Sequence, residues 1–199
     1  MQNRRTLRQS LPAEPAWLRQ IHGTAVVDST SCATVSDTGV VPTADACTSD
    51  VAQQVCVVLT ADCLPVLLCN RAGNRVAAAH AGWRGLAAGV LESTVQAMDV
   101  APADLLAWLG PAIGPAVYEV GQDVWDGFGS DAAESSAFRP KQDRWLLDLY
   151  KMARYRLQQV DVTEVYGGDH CTLSEPDRFF SYRRDRTTGR MASVIWFDR

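Results

Sequence analysis

Cys63 and His80 bracket the stretch 63-CLPVLLCNRAGNRVAAAH-80, in which nearly everything else is apolar or a turn signal. The pattern predicts two buried strands, 64–70 and 75–81, joined by the turn-rich RAGN. A turn at Arg71 and Ala72 sets Cys63 directly across from His80. Directly opposed residues of an antiparallel pair hold their Cβ atoms about 4.5–5.5 Å apart. A turn centred on Gly73 and Asn74 leaves the two on a reachable diagonal instead. At such separations a thiolate and an imidazole can share one zinc ion, at about 2.3 Å and about 2.0–2.1 Å respectively.

A catalytic zinc commonly takes three protein ligands and keeps one position open. The chain has three histidines, so the search for another ligand is short. His22 lies in 20-QIHGTAVV-27, at the entry to an apolar strand, and His170 lies in the polar loop 167-GGDHCT-172 beside Cys171. A strand end holds a ligand more rigidly than a loop, which favours His22 and leaves His170 with Cys171 as the competing pair. Asp62 precedes Cys63 and is expected to orient a ligand or carry a proton at the centre. After His80, 82-GWRG-85 leads into a predicted helix whose free N–H groups would favour an anion, and Arg84 adds a forked donor.

The same residues admit other chemistry. A cysteine-dependent hydrolase would use Cys63 as nucleophile and His80 as base, which leaves His22 without a role. A structural zinc would need a fourth protein ligand, and Asp62 or Cys47 is the nearby candidate.

These side chains need a scaffold. The chain of 199 residues is 47% hydrophobic and 21% charged, enough for one sizeable core, so a single domain over 1–199 is expected. Its net charge is -4 and its Lys and Arg residues are scattered, without the basic footprint of a duplex-binding protein. No apolar run approaches the roughly 20 residues that span a bilayer. The basic stretch 1-MQNRRTLRQSLPAEP-15 has no apolar run behind it and so is not a secretory signal. Six cysteines without repeating spacing read as reduced thiols of a cytoplasmic protein.

Residues 17–27 predict a strand, a Gly turn and another strand, and 28–54 a loop. A buried strand is expected over 55–60 and a helix over 86–98, where apolar residues recur at helical spacing. Strands are expected at 105–109 and 116–120 around 110-GPAIGP-115, an amphipathic helix over 145–160, and closing strands near 162–166 and 190–197. Several connections are too short for a crossover, so the class is α/β or α+β with a mixed sheet.

Five motifs now stand in order from Trp17 to Trp196: QIHGTAVV, TADCLPVLL, AAAHAGWRG, LGPAIGP and FFSYRRDRTTGRMASVIW. Together they resemble the YfiH-like family, whose members have been called multicopper polyphenol oxidases or laccase-domain proteins and are now regarded as purine nucleoside phosphorylases. The resemblance implies a single α/β domain of layered mixed sheets flanked by helices. It also implies a zinc or copper site on His22, Cys63 and His80. The implied partners are purine nucleosides and phosphate. The implied reactions are phosphorolysis of adenosine, inosine, guanosine and methylthioadenosine, and deamination of adenosine.

For that chemistry Arg84 and the pair Arg183 and Arg184 in 182-YRRDRTTGR-190 are candidate phosphate ligands, and Phe179, Phe180, Tyr182 and Trp83 are candidates to stack on a purine. A zinc site would activate water for attack at C6 of adenine. A true multicopper oxidase centre would need about ten histidines, so three exclude it within one subunit, while a single copper in a His-Cys-His site remains open. Family members usually carry a further segment with a Thr-Arg-x-Gly-Gly-type stretch ahead of the Q-x-H-G motif. Sixteen residues precede Trp17 here, so a domain lacking that segment is expected.

Overall fold

Short β-branched and alanine-rich runs make the strands of this protein. The computed structural model describes residues 2–33 and 41–199. Helix α1 (Gln2–Arg8), β1 (Val26–Asp28) and α2 (Ser29–Ala33) precede β2 (Ala46–Ser49), β3 (Cys56–Thr60), β4 (Leu64–Asn70) and β5 (Val76–Ala81). Helices α3 (Trp83–Ala88) and α4 (Val90–Ala97) follow, then β6 (Leu105–Leu109), β7 (Glu119–Val120), α5 (Gln122–Phe128) and α6 (Asp131–Glu134). The chain closes with β8 (Phe138–Lys141), β9 (Arg144–Leu147), α7 (Leu149–Gln159), β10 (Glu164–Gly167), α8 (Tyr182–Asp185) and β11 (Met191–Ile195).

The main sheet runs in the order β1-β2-β5-β4-β6-β10, beside a β3–β11 ribbon and a small β7-β9-β8 sheet. Its outer pairs, β1 with β2 and β6 with β10, are parallel, and its inner pairs are antiparallel. The mixed sheet is the one expected from the short connections, and the layering is what the family resemblance implies.

Period-two alternation sorts the hairpin strands onto two faces. Leu64, Val66 and Leu68 of β4 and Ala77, Ala79 and Ala81 of β5 join a core with Leu91 and Val95 of α4 and Met152 and Leu157 of α7. Full burial of each such leucine contributes about 1.5–3 kcal/mol. On the opposite face Val76 and Ala78 cluster with Cys47 of β2 and Cys56 and Val58 of β3. His80 and Cys63 share the parity of that second face, so the ribbon side of the sheet carries the chemistry.

Several elements differ from the sequence expectation. Residues 16–25 form only isolated bridges, Ala16 to Cys56 and Arg19 to Thr43, and a regular strand begins only at Val26. The presumed loop over 28–54 contains β2, every residue of it buried. The helix expected over 86–98 starts at Trp83 and breaks at Gly89, whose φ of 98° and ψ of 33° lie in the left-handed region. The helix expected from 145 begins at Leu149, because Asp148 accepts a hydrogen bond from the Lys151 N–H and caps it there, and the preceding residues form β9. Among the described residues no helix is long and apolar enough to cross a membrane.

Candidate metal centre

The hairpin register is set by its turn. Asn70 Oδ1 accepts from the N–H groups of Asn74 and Arg75, both at 3.0 Å, and Gly73 N–H donates to the Asn70 carbonyl at 3.0 Å. A four-residue loop over 71–74 results, and Pro65, not Cys63, lies opposite His80. The slip of two residues keeps every side chain on its face, so Cys63 meets His80 along a diagonal.

His22 reaches the same place by a different device. It sits on a turn rather than a strand end, with a positive φ of 63°. The buried carboxylate of Asp45 accepts three successive backbone N–H groups, from Ile21 at 3.2 Å, His22 at 2.8 Å and Gly23 at 2.7 Å. That row of donors closing on one anion is a nest, and it fixes the loop. Asp45 also accepts from His80 Nδ1 at 2.8 Å, while the His80 N–H donates to the Asp45 carbonyl at 2.7 Å. With Nδ1 carrying its proton towards a carboxylate, Nε2 of His80 is left as the ligand nitrogen.

Burial pushes the Asp45 pKa up, yet the His80 and backbone hydrogen bonds more than reverse it and hold the carboxyl below its ordinary value. Asp45 was not singled out in the sequence. Its one signal is an acid set among small apolar residues, Ala44-Asp45-Ala46-Cys47.

The ligand atoms of His22, Cys63 and His80 lie within 4.8 Å of one another. Cys63 Sγ is 3.8 Å from His22 Nε2, and the two imidazole centroids are 4.8 Å apart at 72°. Ligands sharing a tetrahedral zinc at its usual bond lengths stand about 3.3–3.8 Å from one another, so the three need close only slightly on an ion. Burial raises the Cys63 thiol pKa, but hydrogen bonds to His22 and His80 outweigh it and bring it to about 6. Burial likewise lowers that of His80, and Asp45 and the Cys63 sulfur carry it up to about 9.

A thiolate with two imidazoles is a donor set for zinc or copper, so the group fits a metal. The gathering of His22 with the thiol and His80 also distinguishes it from a simple Cys–His nucleophile pair. A cleft of about 570 Å³ opens onto the three residues and is further lined by Gln20, Thr60, Tyr182 and Arg190.

Gly82 makes room for this convergence. A Cβ there would stand 2.8 Å from His22 Cδ2 and 3.0 Å from Cys63 Sγ. Gly82→Ala should therefore splay two ligands and weaken zinc binding about 10–100-fold, the scale found when a metal's surroundings are disturbed. A chelator competition titration reads this, with circular dichroism as the fold control. Unchanged affinity would show that the ligands need no such clearance.

The other predicted residues fall in distinct places. Asp62 accepts from Thr172 Oγ1 at 2.6 Å, Ser181 Oγ at 3.0 Å and the Arg183 N–H at 2.6 Å, so the acid expected to carry protons is tied on both oxygens to the C-terminal loop. Arg184 directs its donors to the carbonyls of Thr172, Leu173 and Phe179 and to Asp185, which leaves none for phosphate. Arg84 and Arg183 line a second cavity, of about 330 Å³, with Trp83 and Tyr118. Burial, and after it the charge of Cys63, pushes the Tyr118 phenol up. Helix α3 is six residues long and starts from Gly82 without a side-chain cap.

His170 stands apart from the cluster, against Glu175, Arg178 and Phe179, and Cys171 Sγ accepts from the Gly114 N–H at 3.2 Å. Cys47 sits in the small core with its sulfur 3.4 Å from that of Cys56. Of the aromatic candidates, Tyr182 lines the metal cleft and Phe179 a different cavity.

Fold and site together define an α/β protein with one His-Cys-His centre open to a cleft. A family model described as "Multi-copper polyphenol oxidoreductase laccase" matches residues 1–198, and the chain belongs to that family. It is 54% identical over 188 residues to the purine nucleoside phosphorylase YfiH of Escherichia coli, covering 94% of this chain and 75% of that one. With a purine nucleoside phosphorylase of Haemophilus influenzae the identity is 49% over 192 residues, covering 94% and 76%. Among solved structures, a Neisseria meningitidis protein superposes with a TM-score of 0.92 at 51% identity, covering 99% of this chain and 80% of the other. Bacillus licheniformis YfiH superposes with a TM-score of 0.85 at 28% identity, again covering 99% and 80%. The resemblance read from the five motifs is thereby established.

Proposed function

We propose that the protein is a zinc-dependent purine nucleoside phosphorylase acting on adenosine, inosine, guanosine and methylthioadenosine, with adenosine deamination as a second activity of the same centre. One observation carries the reading. Three ligand atoms within 4.8 Å of one another line a cleft of about 570 Å³, large enough for a small molecule. The names of the relatives from Escherichia coli and Haemophilus influenzae support the substrate class.

His22, Cys63 and His80 would hold the ion, which when bound supplies Lewis-acid polarisation and water activation at neutral pH. Asp45 keeps His80 in one tautomer and one orientation. Tyr182, half exposed on the cleft wall, offers its ring to the purine face. Phosphorolysis forms a bond from a phosphate oxygen to C1′ of the ribose as the C1′–N bond to the base breaks. Arg84 and Arg183, in the adjoining cavity, are the cations suited to hold that phosphate.

The test is to incubate zinc-loaded protein with adenosine, with and without phosphate, and separate the products. Adenine and ribose 1-phosphate should appear only with phosphate, and inosine in either buffer. No product under any of these conditions would overturn the reading. Oxygen-dependent oxidation of a phenol by copper-loaded protein would instead favour a copper enzyme, since the same donor set accepts either ion.

A further inference from the structure

We propose that Arg186 joins Arg84 and Arg183 to hold a phosphate-type oxyanion in the cavity beside the metal cleft. The inference rests on the phosphorolysis reading and adds a residue that reading did not contain.

The cavity of about 330 Å³ is lined by Arg84, Arg144, Arg183 and Arg186 against only two carboxylates, Glu119 and Asp123. Glu119 is already matched by Lys141 at 2.8 Å and Arg144 at 3.2 Å. Arg84 lies over the Trp83 ring, 4.3 Å from its centroid, and Arg183 lies 5.3 Å from that of Tyr118 while donating to the Glu119 carbonyl at 2.9 Å. Among the described residues no carboxylate stands within ion-pair distance of Arg84, Arg183 or Arg186. Three forked cations therefore border one hollow with no anion matched to them. Forked guanidinium donors suit the oxygens of phosphate.

The backbone singles out Arg186. Its φ of 59° and ψ of -61°, with Thr187 N–H donating to the Asp185 carbonyl at 2.6 Å, make it the centre of a γ-turn of the rare, strained hand. Glycine would relieve that strain, yet the chain places an arginine there. Strained residues persist only where their surroundings over-determine them. Here they do. Asp62 grips Ser181 and the Arg183 N–H, while Arg184 hooks the carbonyls of Thr172, Leu173 and Phe179. These bonds hold α8, which ends at the residue before Arg186, and Arg186 lines the cavity. The two hollows adjoin through consecutive residues, Tyr182 facing the metal cleft and Arg183 the arginine cavity.

The experiment titrates inorganic phosphate into zinc-loaded wild-type, Arg186→Gly and Arg186→Lys proteins by calorimetry. Wild type should bind phosphate. Arg186→Gly, freed of backbone strain, should fold as well or better and bind at least about tenfold more weakly, as the loss of a charge-assisted hydrogen bond implies. Arg186→Lys should retain part of the affinity. In turnover assays the KM for phosphate should rise in Arg186→Gly while that for adenosine stays constant.

Adenosine monophosphate as a second titrant tests whether a phosphoryl group carried on a nucleoside reaches the same cavity as free phosphate. Competition with phosphate that disappears in Arg186→Gly supports occupancy by either source. Wild-type phosphate affinity in Arg186→Gly overturns the inference and leaves the proposed function standing. Arg186-dependent phosphate binding without any nucleoside cleavage keeps the cavity and sinks the phosphorylase reading.

Discussion

Cys63→Ala should yield a folded protein that binds no zinc at stoichiometric levels and turns over neither adenosine nor inosine. The side chain sits at the mouth of β4 with its sulfur directed at two imidazoles, 3.8 Å from His22 Nε2, and it belongs to neither apolar core. Its loss removes one of the three proposed ligands while leaving the packing intact.

Free zinc at 100 times its Kd stabilises a native protein by about 2.7 kcal/mol. In a chain of this size each kcal/mol moves the midpoint by about 2–4 °C, so chelation should lower the wild-type Tm by about 5–10 °C and leave that of Cys63→Ala unchanged. Metal content by emission spectrometry and product formation by chromatography complete the measurement. A chelated wild type that still turns over, with Cys63→Ala inactive, would point to a metal-free nucleophile instead. Turnover persisting in Cys63→Ala would remove the ion from the mechanism altogether.

Asp45→Asn carries the second large effect. The carboxylate is fully buried and accepts four hydrogen bonds, three from the backbone of the His22 loop and one from His80. An amide in its place turns an NH₂ towards some of those donors. Breaking one side of a buried charged pair costs about 3–5 kcal/mol, which a denaturant titration would read as a lower midpoint with an unchanged slope. Loss of a carboxylate behind a ligating histidine typically costs about 10–100-fold in metal affinity. Both losses are expected together, because one side chain sets both ligands. Affinity and midpoint within error of wild type would show that the Asp45 contacts are incidental.

The hairpin was legible in the sequence because its apolar runs and RAGN turn agree with each other. Its register was not. Ala72, Gly73 and Asn74 permit several closures, and the choice falls to Asn70, whose side chain binds the far end of the loop. The two-residue slip cost the site nothing, since Cys63 and His80 stayed on one face.

Strand β2 escaped notice for a different reason. Ala-Cys-Thr-Ser carries no β-branched run, and its burial is imposed by the neighbours β1 and β5. With β2 unseen, Asp45 had no structural context, and its partners lie 22 to 35 residues away. Similarly, the apolar run 145–150 fits strand or helix equally, and only the Asp148 cap decides where one becomes the other. The meeting of His22, Cys63 and His80 was foreseeable in its residue types, whereas the partition of Arg183, Arg184 and Arg186 into hollow and scaffold depended on long-range hydrogen bonds.

One carboxylate grips both the loop of His22 and the ring of His80. The His22 backbone and the His80 ring thus share one buried anchor that the fold supplies. A displacement of Asp45 is therefore felt at His22 and at His80 together, although the two stand 58 residues apart in the chain.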